Sequence, residues 1–242
     1  MHRLLSGPIR TAPLTLGLVV LLMAPARAQY YEPTEYQQST DRFGYLGAME
    51  RDFQPLSSNS MPDSSSIGFK RWMAMVGIRQ GLFDITFAYN RYTLRGEKKT
   101  TVFFGATAMQ DIPVIGKRPT ALVIPVMVSA DFTKAENTGP ARKDFNIASL
   151  GIGAGLKFRT SGSAIDFSVY VTEVVHYSFE GLSSGSGFSA ATLAEASLSL
   201  NRIPLVGGIV LGYRFRYQTW SMSDDQFDYK AIAHGPYLGV GF

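Results

Sequence analysis

Few residues of this 242-residue chain have side chains suited to acid–base or metal chemistry. Two histidines, His176 and His234, lie beyond the apolar N-terminal segment, and two are too few for a histidine-rich metal site. Asp224 and Asp225 are adjacent and could bind a cation, but an isolated acidic pair is more typical of a solvated turn. We therefore predict no metal centre and no cofactor.

Charged residues recur instead at spacings that set a base opposite an acid across three hairpins. The predicted pairs are Arg79 with Asp84, Lys157 with Asp166, and Glu195 with Arg214. Two-residue turns at Gly81-Leu82 and Ser161-Gly162 produce the first two pairs, and symmetric closure of the connection 202–208 produces the third. Opposite charges on one face of a sheet attract, whereas an unpaired buried charge is costly. The pairing therefore supports this register.

The elements that must position these residues are β-strands with two different faces. The clearest segment is Ala148 to Thr160, in which apolar residues alternate with small or basic ones. Phe83 to Leu94 and Ile209 to Thr219 show the same alternation. One face of each strand suits lipid, and the other suits a polar, crowded interior.

Further segments alternate less clearly, and together they set the strand count. These segments are Ile67 to Arg79, Thr101 to Gln110, Ala121 to Thr133, Ala164 to Ser178, Phe188 to Leu200 and Ala231 to Phe242. A closed bacterial barrel has an even number of strands, and Arg42 to Phe53 supplies the tenth. We predict an all-β fold, a closed antiparallel transmembrane β-barrel of ten strands. Eight strands, with residues 29–66 as a periplasmic tail, is the alternative.

A soluble secreted β-sandwich is the competing fold, because sandwich strands also alternate. Aromatic residues near strand ends argue against it, since they lie on the apolar faces or at one rim. They are Trp72, Phe132, Phe158, Tyr217 and Trp220.

The first 28 residues have the features of a secretory signal peptide. Arg3 and Arg10 precede an apolar run, and Ala26-Arg27-Ala28 is a small-residue cleavage signature. We predict cleavage there, with residues 29–242 forming one barrel domain. Cleavage removes three of the 23 basic residues, against 19 acidic ones, so the mature chain is near neutral and its charge does not suggest nucleic-acid binding. The chain has no cysteine, which excludes a disulfide scaffold.

The final strand ends at an aromatic residue, Phe242. Ile232, Leu238 and Val240 share its face, with glycines opposite. This ending resembles that of bacterial outer-membrane β-barrel proteins. The resemblance implies the outer membrane of a diderm bacterium, contact with its lipids, and recognition of the Phe242 strand by the barrel-assembly machinery. It also places the C-terminus, the compact connections and the longer connection of residues 111–119 on the periplasmic side, and the polar connections, including residues 96–100, on the extracellular side.

Within such a barrel the inward charges have two interpretations. Glu195, Arg214 and Arg216 could line a path for ions or a solute. Alternatively, they could cross-link a filled interior, which is usual for barrels of eight to ten strands. The second interpretation is favoured.

One further motif is His176-Tyr177-Ser178 near a strand end. It resembles the His-x-Ser element of outer-membrane lipid A deacylases. This resemblance implies that His176 acts as general base and Ser178 as nucleophile. Strict alternation, however, turns both side chains inward, and no acidic partner is placed by the sequence.

The predicted function is a structural or surface-interaction barrel with, at most, a narrow passive pore. The alternative is a lipid-active hydrolase.

Overall fold

The computed structural model describes residues 42–60, 66–117, 119–138, 143–180, 184–201, 203 and 206–242. The predicted signal peptide, and residues 29–41 of the predicted tail, lie outside the described residues. Within the described ranges, no helix is long and apolar enough to cross a bilayer.

Ten antiparallel strands form a closed ring, in which every strand pairs with its neighbours in sequence and β1 pairs with β10. The strands are β1 Arg42–Pro55, β2 Phe69–Gln80, β3 Phe83–Leu94, β4 Glu97–Lys117, β5 Thr120–Ala135, β6 Phe145–Ser161, β7 Ile165–Glu180, β8 Ser184–Asn201, β9 Gly208–Met222 and β10 Tyr229–Gly241. The prediction of a closed ten-stranded barrel is confirmed, and the eight-stranded alternative is wrong because Arg42–Pro55 closes the ring.

The connections differ in length between the two ends of the barrel. We call the end that carries the start of β1 and the end of β10 the turn end, and the opposite end the loop end. At the loop end, β3 and β4 join through Arg95-Gly96, both with positive φ, which is the geometry of a two-residue type I′ turn. Residues 96–100, predicted to be a loop, are therefore mostly strand.

The strand β4 also runs further than predicted at the turn end. Residues 111–117 continue its pairing with β5 through a bulge between Pro113 and Ile115. The prediction of a longer connection at 111–119 is wrong here, because a bulge accommodates the proline without ending the pairing.

The outer surface of the ring is a band of exposed apolar side chains. Examples from six strands are Val76, Ile78, Phe87, Ile152, Leu156, Val169, Val171, Leu211, Leu238 and Val240. Each alternates with inward side chains that are mostly buried or half-buried. The closed ring pairs the backbone polar groups of every strand, and the apolar exterior can contact lipid. A membrane-spanning sheet requires both features.

The inward faces fill the ring instead of enclosing a wide channel. Phe53, Phe145 and Trp220, from strands on different sides of the ring, are each at most 1% exposed. Trp220 was predicted to lie on the apolar outer face or rim, and this is wrong. The alternation of β9 runs unbroken from Arg214 to Met222, which puts Trp220 on the inward face.

Candidate functional site: the filled lumen

Four charged side chains meet inside the barrel near the turn end. We call Arg79, Asp84, Glu195 and Arg214 the lower charge cluster. Arg79 donates from both terminal nitrogens to the two carboxylate oxygens of Glu195, each at 2.8 Å, and from Nε to Asp84 at 2.9 Å. Arg214 donates to Glu195 at 2.7 Å and to Asp84 at 2.5 Å. Two cations and two anions make the cluster neutral.

The lower charge cluster crosses the lumen. The strand β8 carries Glu195 and the strand β2 carries Arg79, and β1, β10 and β9 separate these strands in the ring. Arg79 stands opposite Asp84, and Glu195 opposite Arg214, which is the predicted cross-strand register. The additional contact between the two hairpins is what ties one wall of the barrel to another.

Two tyrosines complete the lower charge cluster. The Tyr45 hydroxyl donates to Asp84 at 2.7 Å and accepts from Arg214 at 2.6 Å. The Tyr237 hydroxyl donates to Glu195 at 2.9 Å. The rings of both tyrosines also contact the Arg214 guanidinium, with its central carbon 4.4 Å and 4.8 Å from their centroids. Charge-assisted bonds of this kind are the strongest in proteins, and here they hold the aromatic rings in place.

A second polar group lies nearer the loop end. We call Arg51, Asp131, His176 and Arg216 the upper polar cluster. Arg216 donates from Nη2 to Asp131, and His176 Nε2 is 3.1 Å from the same carboxylate. Arg51 donates to Thr133 at 3.1 Å. Since Asp131 is on β5 and Arg216 on β9, this cluster also spans the lumen.

An aromatic layer closes the lumen towards the loop end. Phe53 stacks on Tyr229 at 4.8 Å between ring centroids and meets Phe145 edge-on at 5.0 Å. Phe145 also meets Trp220 edge-on at 5.2 Å. Because β6, which carries Phe145, is on the far side of the ring from β1, these contacts bridge the full width of the interior. A cavity of about 80 Å³ lies between the lower charge cluster and the upper polar cluster, and it is smaller than a typical ligand pocket.

The predicted pair of Lys157 with Asp166 is wrong. Lys157 stands opposite Tyr170, and Asp166 stands opposite Ser161. The reason is a longer turn, in which the Gly162 amide donates to the Asp166 carboxylate at 3.0 Å, so the hairpin closes beyond Ser161-Gly162. Lys157 instead donates to Asp111 of β4 at 2.9 Å.

The structure places both residues of the His-x-Ser element inside the barrel. His176 and Ser178 are fully buried, and the Ser178 hydroxyl lies 2.7 Å from that of Ser149 and 3.0 Å from that of Ser189. An acyl ester at the lipid-facing surface therefore has no route to the Ser178 hydroxyl.

His176 contacts a different serine, Ser129, whose hydroxyl is 2.7 Å from Nε2. Asp131 is bound to the same nitrogen, while Nδ1 has no hydrogen-bond partner among the described residues. A hydrolytic triad needs the serine and the acid on opposite ring nitrogens, so that the acid orients the base. The Ser129, His176 and Asp131 arrangement lacks that geometry.

The remaining candidates from the sequence lie outside the lumen. His234 faces outwards, where Nδ1 contacts the Tyr213 hydroxyl at 2.7 Å and Nε2 lies 3.4 Å from Glu50. Asp224 caps the short 3-10 helix Asp225–Phe227. Across the part of the chain that the structure describes, no group of three or more His, Asp or Glu side chains could hold a metal ion.

Sequence reasoning missed the partners that reach across the ring. Asp131, Arg51 and Asp111 do not belong to a predicted hairpin pair. The inward direction of Asp131 on β5 and of Arg51 on β1 can be read from the alternation, whereas Asp111 lies beyond the predicted end of its strand. Parity gives the face of a residue but not the distance to a distant strand, and so these contacts had no signal in the sequence.

Comparisons with known proteins show distant similarities. No family model and no curated protein matches the chain. Among solved structures, Neisserial surface protein A shares 11% identity and a TM-score of 0.34, with 84% of this chain and 99% of that chain covered. The outer membrane protease OmpT of Escherichia coli shares 7% identity and a TM-score of 0.35, covering 84% and 98%. Ail, the attachment invasion locus protein of Yersinia pestis, shares 11% identity and a TM-score of 0.24, with 83% of this chain and 97% of that chain covered.

The assignment of the fold therefore depends on the closed ring of strand pairs and on the apolar exterior. Together they define an outer-membrane-type β-barrel, with an interior that is filled at three levels by the lower charge cluster, the upper polar cluster and the aromatic layer.

Proposed function

We propose that this protein is a closed, non-conducting barrel of the bacterial outer membrane, whose role is structural or is exerted through the surface at its loop end. The lower charge cluster supports this proposal most directly. Arg79 and Glu195 make two hydrogen bonds across the lumen, and the Glu195 side chain is 1% exposed. A hydrated path along the axis would have to break these bonds.

The alternatives of a pore and of a hydrolase fit the geometry less well. A pore requires a continuous polar path, whereas the aromatic layer of Phe53, Phe145 and Trp220 lies across it. A hydrolase requires a serine that substrate can reach, whereas Ser178 is fully buried.

Electrical recording tests the closed state directly. We expect the refolded mature chain to produce no stepwise conductance in planar bilayers in concentrated KCl, since three layers block the lumen. An open porin, purified and inserted in the same way, is the positive control. Reproducible single-channel steps that disappear when the protein is heat-denatured before insertion would contradict the proposal.

The location and assembly of the barrel form a second part of the proposal. We infer export through the predicted signal peptide of residues 1–28, and insertion by the barrel-assembly machinery, which recognises the Phe242 strand. The Phe242 side chain is 67% exposed on the outer face, while its backbone amide donates to the backbone carbonyl oxygen of Arg42 at 3.2 Å. Its ring therefore adds little to packing inside the barrel and is accessible to an assembly factor.

Replacing Phe242 by serine separates assembly from stability. We expect the amount of folded protein in the outer membrane to fall severalfold in cells, because the terminal aromatic is part of the assembly signal. The same variant should refold in detergent micelles with an unfolding midpoint close to that of the wild type. Leu46→Ser, another change at an exposed outer position, is the control for lost lipid contact. Equal losses for both variants in cells would argue against a signal at Phe242.

A further inference from the structure

Arg51 is a buried cation whose hydrogen-bonding capacity is mostly unused. Arg51 is 2% exposed, and its Nη2 donates to the Thr133 hydroxyl at 3.1 Å. Nε and Nη1 are buried and have no hydrogen-bond partner among the residues that the structure describes. Because a guanidinium stays protonated in proteins, Arg51 keeps its charge, and a buried charge without a partner is costly.

The charges around Arg51 do not neutralise it. The Oδ2 oxygen of Asp131 contacts both Arg216 and His176, and its Oδ1 oxygen is buried without a hydrogen-bond partner among the described residues, so one carboxylate faces two guanidinium groups. Across the β1–β2 pairing, the residue opposite Arg51 is the exposed Arg71, which supplies no negative charge. The upper polar cluster therefore contains two guanidinium groups and one carboxylate, and it carries a net positive charge.

The acidic residues beside Arg51 in sequence are on the other side of the sheet. Glu50 faces outwards, 3.4 Å from His234 and 3.8 Å from Lys70. Asp52 also faces outwards and accepts from Gln54 at 2.8 Å. Alternation along β1 keeps both carboxylates away from the lumen, so neither can bond to the Arg51 guanidinium.

A small cavity lies beside Arg51. Its volume is about 10 Å³, and its polar lining consists of Arg51, Arg216 and Gln218. The Phe103 ring forms another wall, and the central guanidinium carbons of Arg51 and Arg216 lie 5.6 Å and 5.1 Å from its centroid. This is room for about one water-sized sphere, and the adjoining cavity of about 80 Å³ shares the Phe103 and Arg216 walls.

We propose that this cavity binds a single small monovalent anion, a halide such as chloride, between Arg51 and Arg216. A halide accepts hydrogen bonds from the unpartnered Arg51 nitrogens and also balances the excess positive charge. A water molecule would satisfy the nitrogens but leave the charge.

Anomalous scattering from bromide tests the site in the unmodified protein. Crystals of the folded chain grown or soaked in sodium bromide should show an anomalous peak in contact with the Arg51 and Arg216 guanidinium groups. A map with no bromide peak there, and a water molecule in its place, would overturn the proposal.

Unfolding in different salts provides a second readout. We compare sodium chloride with sodium gluconate at equal ionic strength, because gluconate is too large to enter. At a chloride concentration ten times the dissociation constant, the ratio of unfolded to folded protein should be about tenfold lower than in gluconate. This difference should disappear in Arg51→Met, which removes the charge.

Arg91→Met is the matched control, since Arg91 is an exposed arginine outside the lumen. It should keep the full chloride effect. An equal chloride effect in Arg51→Met and in the wild type would overturn the proposal. If Arg51→Met does not fold, the bromide map alone decides. None of these outcomes depends on whether the barrel conducts ions.

Discussion

Replacing Glu195 by alanine is expected to destabilise the folded barrel by about 3–5 kcal/mol. The carboxylate of Glu195 accepts hydrogen bonds from Arg79, Arg214 and Tyr237 and is 1% exposed. Its removal leaves two guanidinium groups with only Asp84 between them. Denaturant unfolding in detergent micelles, followed by the gel shift between folded and heat-denatured protein, measures the loss.

An exposed acid is the control for Glu195. Glu97→Ala removes a carboxylate that is 58% exposed and contacts Lys99 at 2.8 Å, so it should cost less than about 1 kcal/mol. Adding Arg79→Ala to Glu195→Ala should recover part of the loss, because one uncompensated cation is removed with it. Equal effects of Glu195→Ala and Glu97→Ala would show that the lower charge cluster does not stabilise the barrel.

Replacing Gly77 by alanine is expected to cost about 1–3 kcal/mol, because a methyl group at this position has no space. An added Cβ would lie 2.2 Å from the Tyr45 ring and 2.4 Å from the backbone oxygen of Ile85. The Tyr45 ring cannot move aside without losing its bonds to Asp84 and Arg214. The substitution therefore acts on the lower charge cluster through packing, and the same unfolding assay measures it.

Gly44 offers a close comparison. It lies on β1 opposite Ile78 of β2, one residue along from Gly77, but faces outwards, and an added Cβ would meet only a backbone oxygen at 4.0 Å. Gly44→Ala should leave stability nearly unchanged. If the two substitutions had the same effect, the cost at Gly77 would not come from the contact with the Tyr45 ring.

The architecture could be predicted from the sequence because it depends on local periodicity. About ten residues of a strand are enough to show which of its faces is apolar. In an antiparallel hairpin, a short turn fixes which residues of the two strands are paired. Arg79 with Asp84, and Glu195 with Arg214, are of this kind. The same argument failed for Lys157, because the Asp166 side chain bonds to the turn backbone and lengthens the turn. Turn length depends on such side-chain bonds, which alternation does not show.

What the sequence by itself determined is therefore the class of fold, the tenth strand at Arg42, and the inward or outward direction of most side chains. Only the tertiary structure decided that Arg79 bonds to Glu195 across the lumen, that Trp220 belongs to an inner aromatic layer, and that His176 contacts Ser129 and Asp131. The physical reason is that closing the ring brings together strands far apart in sequence. Which side chains then meet depends on the stagger of all ten strands at once, and no single hairpin contains that information.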